Sequence, residues 1–405
     1  MSGIILVGVI IVSGFLLGEL ANKLTLPKVT GYILAGILLS PDITPLVPES
    51  FVKHTDVVTN ISLSIITFSV GGTLLISKIR SMGKQILRIT VFESSFAFLL
   101  VIIGFVLLSP VFLSIDQATY MTVYIPFALL LGSLAAPTDP TATLAVAHEY
   151  NAKGKVMSGI MGVAAFDDAF GIVFYSIAIA FAGAFISPDH IGVGPVVLKI
   201  SREVLGALIV GGLVGFIFNL VVRFISDGAE GIFIVVVVGF LALCFGVSTL
   251  LEVDELLAIM FMGFIVVNFS SKSELIFKLL ERYTEQLIFV LFFTISGMHL
   301  DIFVLGEYWP LVLLFVLFRG TGKFLGTYLG AGRKNLKLRK YTAGGLIPQG
   351  GIVIGLALMI QQNPDFAAIS DPFINIILGA TVLHELVGPV IAKISLKKAG
   401  EIQSS

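Results

Sequence analysis

The sequence predicts an all-α polytopic membrane protein of about thirteen transmembrane helices, built as an inverted repeat (spans 1–6 and 8–13) with two crossed discontinuous helices. Three observations carry that expectation. Residues of the set AVILMFWYC make up 57% of the 405 residues and DEKR only 13%, where a soluble domain has about 25% charged. Mean hydropathy is +1.03, so the solvent around most of the chain must be lipid. The apolar residues fall into runs near the roughly 20 residues that cross a hydrocarbon core. Finally, short motifs recur at a constant offset of seven spans, and two of them interrupt a span.

The runs, in order, are 3–20, 29–43, 56–77, 88–110, 118–146, 155–183, 197–224, 230–250, 254–270, 285–305, 309–331, 341–361 and 371–393. The first has no basic stretch before it and no small-residue cleavage site after it, so it reads as a span and not as a cleaved signal peptide. With the N-terminus outside, the cytoplasmic loops collect Lys23, Lys28, Lys78, Arg80, Lys84, Arg88, Lys153, Lys155, Arg223, Lys272, Lys278 and Arg282. Arg333, Lys334, Lys337, Arg339, Lys340, Lys393, Lys397 and Lys398 join them. The outer side receives only Lys53, Lys199 and Arg202. This positive-inside bias predicts N-out and C-in, with 394–405 as a short cytoplasmic tail and a location in the plasma or inner membrane. The balance of 25 basic and 26 acidic residues builds no face for a nucleic acid. The single Cys244 excludes a disulfide scaffold and a cysteine metal cluster.

The repeat is legible in pairs. Gly31–Gly36 of span 2 answers to Glu255–Ala258 and Gly263 of span 9, and Ile66–Gly71 of span 3 to Phe292–Gly297 of span 10. The break Pro137-Thr138-Asp139-Pro140 in span 5 answers to Pro348-Gln349-Gly350-Gly351 in span 12, and Asp167-Asp168 in span 6 to His384-Glu385 in span 13. Seven is odd, so the second half lies upside down. Inverted repeats with matched broken helices point to a secondary transporter with its site near the midplane.

Ionisable residues deep in spans are functional candidates by default. Pro140 disfavours helix at the residue before it, so the chain should unwind near Thr138-Asp139, freeing carbonyls for a cation and a helix end for a carboxylate. The bland alternative is a kink with Asp139 as an N-cap. Asp167 and Asp168 are adjacent and point about 100° apart on a helix, so one can face an ion cavity while the other meets a cation. Arg319 and Lys323, four apart on span 11, share a face and offer that cation. Lys323 is the better partner for a group that itself exchanges protons, because burial shifts a Lys and leaves Arg charged; the alternative pairs Arg319 and sends Lys323 toward the cytoplasmic interface. Glu385 and Gln349 are secondary candidates at the broken helices. Glu93, near the start of span 4, and His299 with Asp301, at the end of span 10, read as residues reaching water at the membrane edge. No His/Asp/Glu cluster has transition-metal spacing, and no phosphate-cradling loop or nucleophile elbow appears.

Taken together, Gly31-Tyr32-Ile33-Leu34-Ala35-Gly36, Thr138-Asp139-Pro140, Phe166-Asp167-Asp168, Gly322-Lys323-Phe324-Leu325-Gly326, Gln349-Gly350-Gly351 and Glu385-Leu386-Val387-Gly388-Pro389 resemble the monovalent cation:proton antiporter superfamily over nearly the whole chain. The double aspartate looks like the electrogenic sodium/proton branch. The electroneutral branch usually carries Asn-Asp preceded by Glu-Ser, where this chain has Val163-Ala164; that branch also keeps an Arg in the helix of Arg319. Related potassium-efflux systems typically have Gln-Asp and a soluble nucleotide-binding tail, neither of which is seen here.

The resemblance implies a homodimer. A core (88–183 and 309–393) would move against a panel (1–80 and 230–306), joined by a linker helix at 197–226. It implies Asp168 as the alternating cation/proton site, Asp167 paired with Lys323, and Thr138 and Asp139 completing the cation's ligands. The expected activity is exchange of a monovalent cation, Na+ first, for H+ by alternating access, with electrogenic coupling. No cofactor is expected beyond the transported Na+ and H+. The alternatives are K+/H+ or electroneutral Na+/H+ antiport, then a sodium-coupled organic-anion symporter. An intramembrane aspartyl protease comes last, since its Gly-x-Gly-Asp signature is missing. None but the last is an enzyme.

Overall fold

The computed structural model describes residues 3–24, 28–41, 43–52, 55–81, 83–113, 118–139, 143, 146–147, 150–186, 193–225, 230–299, 302–333, 335–350 and 352–402. Pro140, Asp301 and Gly351 of the sequence motifs lie outside them. The described residues are nearly all helical, and helix occurs within each of the thirteen predicted stretches. The main helices are α1 Gly3–Lys23, α2 Lys28–Leu39, α3 Asp56–Thr73, α4 Gly83–Phe112, α5 Ile125–Ser133, α6 Lys155–Ile186 and α7 Val193–Val222. They continue with α8 Glu230–Leu250, α9 Glu255–Phe269, α10 Glu285–Met298, α11 Ile302–Gly330, α12 Ile352–Gln362 and α13 Ala367–Ala399. Seven helices among the described residues are individually long and apolar enough to cross a membrane; others, such as α9, α12 and Gln286–Met298 of α10, are shorter.

Several boundaries differ from the sequence reading for local reasons. Span 10 stops at Met298, with His299 as its C-cap, and α11 begins at Ile302 instead of 309. α13 runs to Ala399, so half of the predicted tail is helix, which ends where Gly400 adopts the left-handed conformation (φ 74°). The stretch 273–283, read as loop, is an amphipathic helix: Ile276, Leu279 and Leu280 are buried while Lys278 and Arg282 face out.

The inversion is visible where backbones touch. A methyl group at Gly36 (α2) would stand 2.7 Å from the Gly297 Cα (α10), and one at Gly297 3.0 Å from the Gly36 Cα. Likewise a methyl at Gly71 (α3) would stand 3.0 Å from the Gly263 Cα (α9), and 3.1 Å in the reverse direction. Under the seven-span offset Gly36 corresponds to Gly263 and Gly71 to Gly297, so each glycine contact is the repeat image of the other. Only residues without Cβ permit such an approach.

α4 and α11 pack antiparallel in the same manner: Gly322 lies over Ala97, Gly326 over Glu93 and Gly330 over Ile89. This seam brings the polar residues of α11 within reach of α4. α1, α2, α3, α9 and α10 form one packed group and α4, α5, α6, α11, α12 and α13 another; α7 packs on α6, α8 and α9. At the α6 N-terminus, the Glu401 carboxylate accepts the amides of Val156 and Met157 (2.8 Å each), and Lys337 Nζ donates to the Ala399 carbonyl (2.7 Å).

Candidate ion-exchange site

Both expected interruptions are present. After α5 the chain runs without regular structure through Pro137-Thr138-Asp139. In the second repeat a helical turn, Leu336–Tyr341, passes into a 3-10 segment, Thr342–Leu346, then unwinds to Gly350 before α12. The two unwound strands cross and bond: the Asp139 amide donates to the Pro348 carbonyl (3.1 Å). Thr138 Oγ1 donates to Leu346 O (3.4 Å), Thr143 Oγ1 to Gly345 O (2.8 Å) and Gln349 Nε2 to Leu134 O (2.6 Å).

Interrupted helices leave carbonyls unpaired at the C-terminal ends and amides at the N-terminal ends. The two buried cations go to the carbonyls. Arg319 donates to Ala135 O (3.1 Å), Pro137 O (2.7 Å) and Ile347 O (2.7 Å), so it binds the C-terminal ends of both broken helices at once. Lys323 donates to Ala136 O (2.6 Å) and Thr138 Oγ1 (2.9 Å). Both side chains have no exposed surface. Positive charge at helix C-termini is the favourable sense of the macrodipole, and a guanidinium has the donors to serve three carbonyls in a plane. Arg319 is therefore a backbone clamp, and Lys323 does not run to the membrane edge.

The carboxylates divide by environment. Asp167 is fully buried and its Oδ2 lies 3.4 Å from Lys323 Nζ. Lys323 is closer to Glu93 Oε2, at 2.8 Å, and this pair too has no exposed surface. Glu93 is thus not at the membrane edge. Its helix begins at Gly83, earlier than the hydropathy suggests, and Gly326 of α11 covers it. Asp168, the next residue, is half-buried and is not among the ion-pair partners of Lys323, which are Glu93 and Asp167. It lines a cavity of about 430 Å³ together with Ser69 and Thr73 of α3, Phe277 and Glu281 of the amphipathic helix, and Thr284. Thr73 Oγ1 also donates to Ala165 O (2.8 Å), a hydrogen bond between the two packed groups one turn from Asp168.

On the other side of the crossing, a methyl at Gly350 would stand 2.8 Å from Asp139 Oδ2 and 3.4 Å from Glu385 Oε1, so both carboxylates converge on the approach to the α12 N-terminus. Glu385 is fully buried and neither of its oxygens has a hydrogen-bond partner among the described residues; the same holds for Gln349 Oε1. Pro389, four residues on, has no amide to offer the Glu385 carbonyl.

The arrangement brings Thr138, Asp139, Asp167, Arg319, Lys323 and Gln349 to one crossing, with Asp168 opening to the cavity and Glu385 behind it. No group of three His, Cys, Asp or Glu suited to a resident metal occurs among the described residues. The side-chain and carbonyl donors gathered here are hard oxygens, the class that suits hard cations.

The profile described as "Sodium/hydrogen exchanger, transmembrane" matches residues 8–398. The Na(+)/H(+) antiporter NhaH of Halobacillus aidingensis is 23% identical over 303 residues, 70% of this chain and 73% of its own. Sodium/hydrogen exchanger 3 of Mus musculus is 29% identical over 221 residues, 50% of this chain and 26% of its own. The solved structure of the sodium proton antiporter MjNhaP1 from Methanocaldococcus jannaschii at pH 8 superposes with a TM-score of 0.76 over 98% of both chains, at 21% identity. That likeness shows the fold.

Proposed function

The chain belongs to the transmembrane sodium/hydrogen exchanger family, and from that premise we propose that it exchanges Na+ for H+ across the plasma or inner membrane by competition of the two ions at Asp168. The observation that carries this reading is the division of the two aspartates: Asp167 buried beside Lys323, Asp168 open to the cavity. A dehydrated Na+ needs several oxygens. Ionised Asp168, Asp139, the remaining lone pair of Thr138 and nearby carbonyls supply them. Protonation removes the charge of Asp168 and releases the cation. An empty, charged carboxylate cannot cross the apolar barrier cheaply, so the moving group carries either Na+ or H+. No cofactor is required. The protein is a transporter, not an enzyme.

The core (88–183 and 309–393) moves against the panel (1–80 and 230–306) with 197–226 as linker, in a homodimer with N-terminus outside and C-terminus cytoplasmic. In that orientation the cavity beside Glu281 opens to the cytoplasm. Gln349 ties the second broken helix to the first through the Leu134 carbonyl, and Glu385 stands beside Asp139 at the approach to α12.

Coupling has two readings. Electrogenic exchange needs Lys323 to release a proton when Asp167 is engaged. The 2.8 Å hydrogen bond that Lys323 donates to Glu93 favours a second reading, electroneutral one-for-one exchange, because the ammonium keeps a buried counter-charge even when Asp167 is engaged.

The test is Na+-dependent proton flux in proteoliposomes. Asp168→Asn abolishes it, and undiminished flux would sink the assignment. A membrane-potential dye responds to Na+ addition only if exchange is electrogenic.

A further inference from the structure

Among the thirteen residues lining the cavity, two are ionisable: Asp168 at its inner end and Glu281 at its rim. Glu281 lies on the amphipathic helix Ser273–Tyr283, whose cavity face is set by helical spacing: Phe277, Leu280, Glu281 and Thr284 all line the cavity. The basic residues of that helix, Lys278 and Arg282, are exposed and do not line it. Phe277 locks the helix in place by stacking on Phe68 of α3 (ring centroids 5.0 Å) and packing over Gly72. Glu281 makes no ion pair among the described residues. The sequence therefore turns one acidic residue of a mixed-charge helix toward the passage and its bases toward solvent.

The size of the space says what Glu281 can do. Six waters occupy about 180 Å³ at roughly 30 Å³ each, so a cavity of about 430 Å³ admits a cation with its hydration shell. Apart from Asp168 and Glu281, the lining is apolar or hydroxyl-bearing and offers no cage of oxygens at the rim. A carboxylate there acts on the ion through water.

We propose that Glu281 is the cation-recruiting residue of the exchanger, a positioning charge that concentrates hydrated monovalent cations in the cavity without discriminating among them, selection being left to the dehydrating ligands at Asp168. The proposal rests on the reading of Asp168 as the exchange site. Charged clefts with low-dielectric walls raise the local counter-ion concentration in this manner, and salt screens the effect.

The experiment is Na+- and Li+-driven proton flux in proteoliposomes for the parent chain, E281Q, E281K and E281D. Expected for E281Q is a several-fold rise in KM, by the same factor for both cations, with kcat unchanged. E281K raises KM further and E281D restores it. The rise shrinks when ionic strength is increased with a bulky organic cation salt. An unchanged KM in E281Q, a fall in kcat alone, or factors that differ between Na+ and Li+ would overturn the proposal; the last would make Glu281 a direct ligand. Asp168→Asn is run alongside. If Asp168→Asn retains full flux, the exchange-site reading fails irrespective of E281Q; if it is dead while E281Q behaves as the parent, only the recruiting role fails.

Discussion

Lys323 stands 2.8 Å from Glu93 and 3.4 Å from Asp167, so the ammonium that neutralises the transport helix α6 is anchored first to α4. Three helices thereby share one buried proton donor. Breaking a buried pair from one side leaves an uncompensated charge, typically at a cost of about 3–5 kcal/mol. Glu93→Ala should destabilise the folded protein by that order, read as thermal unfolding in detergent. Adding Lys323→Met to Glu93→Ala should cost less than the sum of the two single changes, because the pair is removed together. Additive losses would show that the contact carries no coupling.

Competition at one carboxylate fixes the sign of the pH dependence. As pH falls, protonated Asp168 becomes the dominant form and the apparent KM for Na+ rises. The limiting slope approaches about tenfold per pH unit if one proton competes, since one unit of pH is worth about 1.36 kcal/mol per proton. A limiting slope near a hundredfold means two competing protons. A KM independent of pH would contradict exchange by competition.

The Glu401 carboxylate holds the amides of Val156 and Met157 in the first turn of α6, twelve and eleven residues before Asp168. Loss of a carboxylate cap costs about 1–2 kcal/mol. Glu401→Ala should accelerate amide hydrogen exchange at residues 155–160 well above any change in α13. Equal protection in parent and variant would show the cap to be idle.

The glycine seams predict matched damage. Gly36→Ala and Gly263→Ala each place a Cβ against a facing backbone, and overpacking of this kind costs about 1–3 kcal/mol. The two should lower the yield of folded protein comparably, whereas Gly8→Ala, with nothing within 4 Å, should not. Unequal losses at Gly36 and Gly263 would argue against equivalent contacts.

Much of this was readable from residue order, and what was not has a common cause. Hydropathy places the helices because lipid imposes a length, and Pro137-Thr138-Asp139 and Pro348-Gln349-Gly350 announce the two interruptions because proline disfavours continuing a helix. Arg319 and Lys323 are recognisable as buried cations by their apolar surroundings. The partners of Arg319 are not, since it is satisfied by backbone carbonyls at Ala135, Pro137 and Ile347, and a carbonyl has no residue letter. Glu93 was missed because its burial depends on Gly326 of another helix. The helix Ser273–Tyr283 was hidden by its charges, although Ile276, Leu279 and Leu280 already show helical spacing.

The paired contacts Gly36–Gly297 and Gly71–Gly263 have a mechanical consequence. With no side chain between the backbones at these points, the contacts have no rotamers to change, so α2 with α10 and α3 with α9 are pinned at a fixed spacing there, as the proposed panel requires. In the proposed exchange, relative movement would not be taken up there. It would be taken up where side chains separate the two helix groups, at the Thr73–Ala165 bond and around Asp168, which is also where the proposed ion site lies.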